Sequence, residues 1–215
     1  MTTSTLAVVS AGLSVPSSTR LLADRLTAAT VDALRRHGVE TTVEVVELRE
    51  HARDLADNLV SGFPNGRLRA ALDTVSGADG LIAVTPIFSA SYSGLFKSFF
   101  DVLDPESLAG TPVLMAATAG TARHSLVLDH AVRPLFSYLR ALIVPTGVFA
   151  ATEDFGSTAA GPLDERIERA ASELAMLMTG PMRGPMTGAA RPTRARAGDD
   201  DRLESLPFDE LLRRV

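Results

Sequence analysis

Three short stretches gather the residue types that could do chemistry. The first runs Ser10-Ala11-Gly12-Leu13-Ser14-Val15-Pro16-Ser17-Ser18-Thr19-Arg20 and places a hydroxyl cluster at the start of a helical pattern. Free N–H groups and the positive dipole end of a helix start suit a phosphate monoester, so Ser17, Ser18 and Thr19 are candidate phosphate ligands, with Ser10 and Leu13 beside them. The same hydroxyls would also serve an ordinary N-cap in a solvated turn. The second stretch, Thr85-Pro86-Ile87-Phe88-Ser89-Ala90-Ser91-Tyr92-Ser93-Gly94, offers aromatic and hydrogen-bonding groups to a planar heterocycle. Alternatively, Phe88 and Tyr92 cover the core while Ser91 or Ser93 caps the next helix. The third, Thr118-Ala119-Gly120-Thr121-Ala122-Arg123-His124, has a glycine that lets backbone approach a ligand closely, at another helix start. It also reads as a plain strand-to-helix turn.

Other chemistries find little support. The first stretch lacks both G-x-G-x-x-G spacing and a G-K-[ST] ending, which disfavours Rossmann-type dinucleotide and Walker-type ATP binding. No G-x-S-x-G elbow is present, and His37, His51, His124 and His130 form no H-x-x-x-H pair, so no metal site is expected. There is no cysteine, hence no thiol nucleophile and no disulfide. Asp101 and Asp104 read as a solvated helix end.

The positioning elements follow from periodicity. Thr5 to Ala11 is a short apolar strand, and Leu22, Leu26, Ala29 and Ala33 mark a helix from Ser18 that ends at Gly38. Val43, Val45, Val46 and Leu48 give a second, mixed strand suited to a sheet edge. A helix is predicted over Arg67–Ser76 after the turn Pro64-Asn65-Gly66, then a continuous apolar strand, Asp79–Thr85, that should be central. A helix carrying Leu95, Phe96, Phe99, Phe100 and Leu103 leads to a fourth strand, Val113–Ala117. A helix from the third stretch through Arg140, a fifth strand Leu142–Ala150 interrupted by Pro145, and a closing helix Leu163–Met178 complete the pattern. Alternating strands and helices predict an α/β fold: a flavodoxin-like doubly wound sheet of five parallel strands in the order 2-1-3-4-5, with helices on both faces. In such a sheet a ligand sits beyond the carboxyl ends of the strands, where all three stretches fall.

Read together, these stretches resemble the NADPH-dependent FMN reductase family, especially flavin reductases that supply two-component monooxygenases. Ser17-Ser18-Thr19 is similar to that family's phosphate loop. Thr85-Pro86-Ile87-Phe88 with Ser91-Tyr92-Ser93-Gly94 is similar to its T-P-[hydrophobic]-[aromatic]…Y-S-G loop, and Ala117-Thr118-Ala119-Gly120-Thr121 with His124 to its A-T-G-G-T…H segment. The similarity covers about Leu6 to Phe155. Ala119 stands where a second glycine is common, and Ser18 where some members carry arginine; Arg20 lies close by. The resemblance implies FMN as the flavin, NADPH or NADH as the reductant, and a homodimer or homotetramer in which a neighbouring subunit borders the flavin. A flavin-dependent monooxygenase is the implied partner. Phe88, Tyr92, Arg123 and His124 would shape the flavin and nicotinamide pocket, Arg123 meeting a phosphate of the pyridine nucleotide. No side chain is needed as acid, base or nucleophile, because the cofactor carries the chemistry. A flavodoxin-like electron carrier is the rival reading, and a quinone or azo-dye reductase a nearer one. A carrier needs tight aromatic stacking, whereas this chain has no tryptophan and only two tyrosines.

Bulk properties agree with one domain. The 215 residues are 46% hydrophobic, enough for one buried core. No apolar run approaches the roughly 20 residues that span a bilayer, and Met1 to Thr5 lacks the features of a secretory signal, so a cytoplasmic protein is expected. A net charge of -5 argues against nucleic-acid binding, although Arg191, Arg194 and Arg196 make the late segment locally basic. Residues 1–180 are expected to form the reductase domain. Residues 181–215 read as a Pro/Gly/Arg-rich tail in which Leu206, Phe208, Leu211 and Leu212 could form a short terminal helix.

Overall fold

The computed structural model describes residues 2–155 and 161–180. The tail and its terminal helix lie outside the described residues. Strands β1 (Thr2–Ser10), β2 (Val39–Glu47), β3 (Gly80–Phe88) and β5 (Pro112–Ala119) run parallel, in the spatial order β2-β1-β3-β5. The expected fifth strand arrives in two pieces, β6 (Leu142–Ile143) and β7 (Val148–Ala151), both parallel to β5. Proline has no N–H for the ladder, and the break spans Pro145. There Thr146 instead donates its N–H and its hydroxyl to the two carboxylate oxygens of Glu173, each at 2.8 Å. A seventh strand, β4 (Ser91–Tyr92), was not expected; it folds back antiparallel on β3. The fold class and the parallel order 2-1-3-4-5 hold, with seven strand segments rather than five.

Alternation along each strand feeds two cores. Leu6 and Val8 point to one face and pack with Leu22 and Leu26 of α1 (Ser18–Arg36) and with Ile167 and Leu174 of α6 (Pro162–Thr179). Ala7 and Val9 point to the other. They pack with Leu55 of α2 (Ala52–Ser61), Leu68 of α3 (Gly66–Gly77), the phenylalanines of α4 (Gly94–Asp101) and Leu135 of α5 (Arg133–Tyr138). Phe96, Phe99, Phe100 and Phe136 meet edge-on or tilted, with ring centroids 4.7 Å apart for Phe96–Phe100 and 5.0 Å for Phe100–Phe136, arrangements that favour aromatic quadrupoles.

The helix ends are chemically specified. Asn65 caps α3 by accepting from the Leu68 N–H at 2.9 Å, and Gly38, at φ +74°, closes α1 by donating to Arg35. At the start of α6 the Asp164 carboxylate accepts from the Gly161 N–H and pairs with Arg25 of α1, so its pKa lies below the ordinary carboxylate value. A carboxyl with a depressed folded-state pKa stabilises above its unfolded pKa, about 3.9, and loses that contribution as pH falls through the folded value. Asp164→Asn is therefore expected to lower the unfolding temperature at pH 7, and the difference from wild type should shrink as pH falls below the unfolded value of about 3.9 and close once it has passed the lower folded value. Thermal melts across pH 3 to 7 check it.

Candidate flavin site

The three chemistry-bearing loops converge at the carboxyl ends of β1, β3 and β5. Parallel register sets Ser10 beside Val84, and Pro86 beside Thr118. Ser10 lies two positions after Val8, and Thr118 two after Ala116, so both side chains share the sheet face that α1 covers. Ser10 is fully buried and its hydroxyl has no partner among the described residues. The Thr118 hydroxyl lies 2.8 Å from that of Thr19, in the first turn of α1.

Ser17 is the N-cap of α1: its hydroxyl oxygen accepts from the Arg20 N–H at 3.2 Å, which leaves the hydroxyl proton free to donate. Ser18 is exposed, and the first turn carries no acidic residue to oppose an anion. Leu13 is exposed at the outer limb of the loop. The glycine at position 12 is demanded by the cap, because a Cβ there would fall 2.0 Å from the Ser17 hydroxyl oxygen. Gly12→Ala should displace Ser17 and uncap α1, at a cost of about 1 kcal/mol or more, and should weaken phosphate binding with it. Chemical denaturation and titration with FMN test both.

Arg20 is held by two carboxylates. Its guanidinium binds Glu47 at 2.6 Å and Asp24 at 2.7 Å, and these bonds, Glu47 first, hold its pKa above the ordinary arginine value. Arg49, which follows β2, donates instead to the Ser14 carbonyl at 3.1 Å. Nothing in the sequence marks that contact, which spans 35 positions.

The second loop is a tight hairpin whose turn residues, Ser89 and Ala90, adopt φ of 48° and 67°. Its register opposes Ile87 to Tyr92 and Phe88 to Ser91. Directly opposed residues share a face and neighbours alternate, so the two aromatics expected to meet the heterocycle together stand on opposite faces. Tyr92 packs on Phe96, with ring centroids 5.9 Å apart, while Phe88 is 48% exposed and meets no other ring among the described residues. Thr85 fixes the loop's base: it accepts from the Ser93 N–H at 3.1 Å and donates to the Pro86 carbonyl at 2.9 Å. Pro86 and Ser93 are buried, Ile87 and Ser91 half-buried.

In the third loop Ala119 is half-buried, and a Cβ on Gly120 would meet no protein atom within 4 Å. The protein's own packing does not require glycine there. Thr121 is extended, and Arg123 and His124 lie in a three-residue 3-10 turn, Ala122–His124. Arg123 is exposed, with no hydrogen bond or ion pair among the described residues. The single helix expected from here to Arg140 is corrected: the 3-10 turn is followed by a π-helical stretch, Leu128–Val132, and only then by α5.

A family model described as NADPH-dependent FMN reductase matches residues 4–156. The chain belongs to that family. An FMN reductase (NADPH) of Pseudomonas aeruginosa is 40% identical over 174 residues, covering 80% of this chain and 91% of that protein. The crystal structure of an oxidoreductase from Corynebacterium diphtheriae superposes with a TM-score of 0.80 at 51% identity, covering 83% of this chain and 98% of that one. An apo NADH:FMN oxidoreductase aligns with a TM-score of 0.74 at 26% identity, over 86% of this chain and 100% of its own. This protein is thus an NAD(P)H:flavin oxidoreductase on the flavodoxin-like fold. The residues of the reductase fit FMN: a buried hydroxyl without a partner among the described residues, an acid-free helix start and an open glycine backbone lie at the carboxyl end of the sheet.

Proposed function

We propose that this chain takes FMN as an exchangeable substrate across the three loops, has it reduced by NADH or NADPH, and releases it in the cytoplasm to a flavin-dependent monooxygenase. Ser17, Ser18 and the first N–H groups of α1 would hold the phosphate, with Ser10, Leu13 and Thr19 completing that side. Pro86, Ile87, Phe88, Ser91, Tyr92 and Ser93 would frame one edge of the ring, and Thr118, Ala119, Gly120 and Thr121 the other. Arg123 and His124 border the nicotinamide, the unpaired Arg123 offering its guanidinium to a phosphate. The bound flavin supplies the redox chemistry, accepting hydride from the nicotinamide. The protein's task is to position two rings and leave them access to each other.

One observation carries this reading. Phe88 is half-exposed and meets no other ring among the described residues, so an aromatic partner is offered to one side of a flavin ring at most. An aromatic pair is worth about 0.5–1.5 kcal/mol beyond area burial, and a site short of such pairs exchanges its ligand. The family resemblance implies a homodimer or homotetramer, and Leu126 (65%) and Tyr138 (74%), before and at the end of α5, are exposed apolar side chains that a second copy would cover. Beside it lies a cleft of about 550 Å³, lined by Tyr92, Lys97, His130, Pro134 and Tyr138 among others. Residues 1–180 form the proposed reductase domain, with 181–215 an appended tail.

Purified protein should be only partly loaded with FMN, and oxidation of NADH or NADPH should accelerate saturably with added FMN. Flavin that survives extensive dialysis and is reduced by neither nicotinamide would instead make the protein an electron carrier.

A further inference from the structure

Two buried hydroxyls are committed to one hydrogen bond at the junction between the phosphate side and the ring side of the site. Thr19 lies in the first turn of α1 and Thr118 at the penultimate position of β5; they are 2% and 3% exposed, and their oxygens are 2.8 Å apart across 99 positions of sequence. Each threonine hydroxyl has one proton and two lone pairs. One of the pair donates and the other accepts, so one proton of the two remains unspent. No other described side chain takes it. The bare fold has no need of this arrangement, since valine has threonine's shape, suits a strand, and two valines would leave no buried polar group to satisfy. What the hydroxyls add is a fixed separation between the start of α1 and the end of β5.

We infer that the Thr19–Thr118 hydroxyl pair is a positioning device that couples the two halves of the flavin site, so that phosphate and ring bind as one unit and FMN is favoured over riboflavin. The inference rests on the flavin-reductase reading above. The unspent proton gives the pair a direction. When Thr118 donates to Thr19, the Thr19 proton is free for the phosphate; when Thr19 donates, the Thr118 proton is free for the ring edge. Phosphate binding selects the first arrangement, in which the Thr118 oxygen keeps a lone pair to accept from a donor at the ring edge, and thereby orders the ring side as well.

Thr118→Val tests this, because it removes a hydroxyl on the ring side and the effect is expected on the phosphate side. FMN affinity should fall about tenfold more than riboflavin affinity does, a difference worth one hydrogen bond. Thr118→Ser, which keeps the hydroxyl, should restore FMN affinity. The double variant Thr19→Val/Thr118→Val should bind FMN as weakly as Thr19→Val alone, because the coupling is already lost in that single variant. The unfolding temperature of the flavin-free double variant should nevertheless recover above that of the single variants, since no hydroxyl is left stranded. Equal losses for FMN and riboflavin in Thr118→Val would overturn the inference by making Thr118 a plain ring ligand. Recovery of FMN affinity together with stability in the double variant would also overturn it, by reducing the pair to a structural bond. Wild-type protein that binds neither flavin would overturn the site reading itself, a separate and earlier failure.

Discussion

Gly120→Val is expected to weaken FMN binding by about 10- to 100-fold while leaving the unfolding temperature of the flavin-free protein unchanged. The two halves of that result have different causes. A Cβ at position 120 meets no protein atom within 4 Å, and the residue is not among the glycines with positive φ, so valine fits the folded chain without strain. The open space is the side of the third loop that a flavin ring would approach. Forcing extra methyl groups into a filled site costs typically 1–3 kcal/mol, and 1.4 kcal/mol is tenfold in affinity. Circular dichroism melts and fluorescence titration separate the effects. Unchanged affinity in a folded variant would move the ring site away from this loop.

Removing the two outer hydroxyls of the phosphate loop, in Ser17→Ala/Ser18→Ala, should lower FMN affinity about 100-fold or more and riboflavin affinity far less. A hydrogen bond to a charged group is worth about 1.5–3 kcal/mol, and two are lost. Ser17 also caps α1, so stability should drop by about 1 kcal/mol. Riboflavin is the control for that drop, having the ring without the phosphate. If both flavins weaken equally, the hydroxyls serve the fold and the phosphate lies elsewhere. Thr19 is left intact in this variant because its hydroxyl is engaged with Thr118.

Much of this arrangement is legible in the chain. The apolar run around Leu81–Val84 predicts a strand covered on both faces, and it occupies the middle of the sheet. Asn65 and Gly38 signal helix ends that the structure realises as a cap bond and a left-handed closure. The hidden parts have physical reasons. α2 buries only Leu55 and Asn58, too thin an apolar stripe to announce a helix. The hairpin at Ser89 and Ala90 takes positive φ without the glycine or asparagine that usually marks such a turn, so β4 has no local signal. The π-helical stretch at Leu128–Val132 likewise leaves the spacing of apolar residues helical. At the site, residue types indicated the three loops, but the opposite facing of Phe88 and Tyr92 depends on hairpin register, and the Arg49–Ser14 tether on strand order.

The two margins of the sheet are built unlike each other, and this bears on aggregation. An open parallel sheet leaves unpaired N–H and C=O groups along each margin, where another chain could add as a strand. On one side that margin is cut into pieces of two and four residues, with Pro145 between them, too short and interrupted to template an added strand. On the other, β2 is nine residues long, but Glu40 and Glu44 are exposed on it, so a second β2 laid alongside would bring carboxylates together. Growth of the sheet from molecule to molecule is thus discouraged at both ends. Copies of this chain that meet at high concentration are left their helical surfaces for association, and a crowded, newly made chain has fewer routes to a fibrillar precipitate.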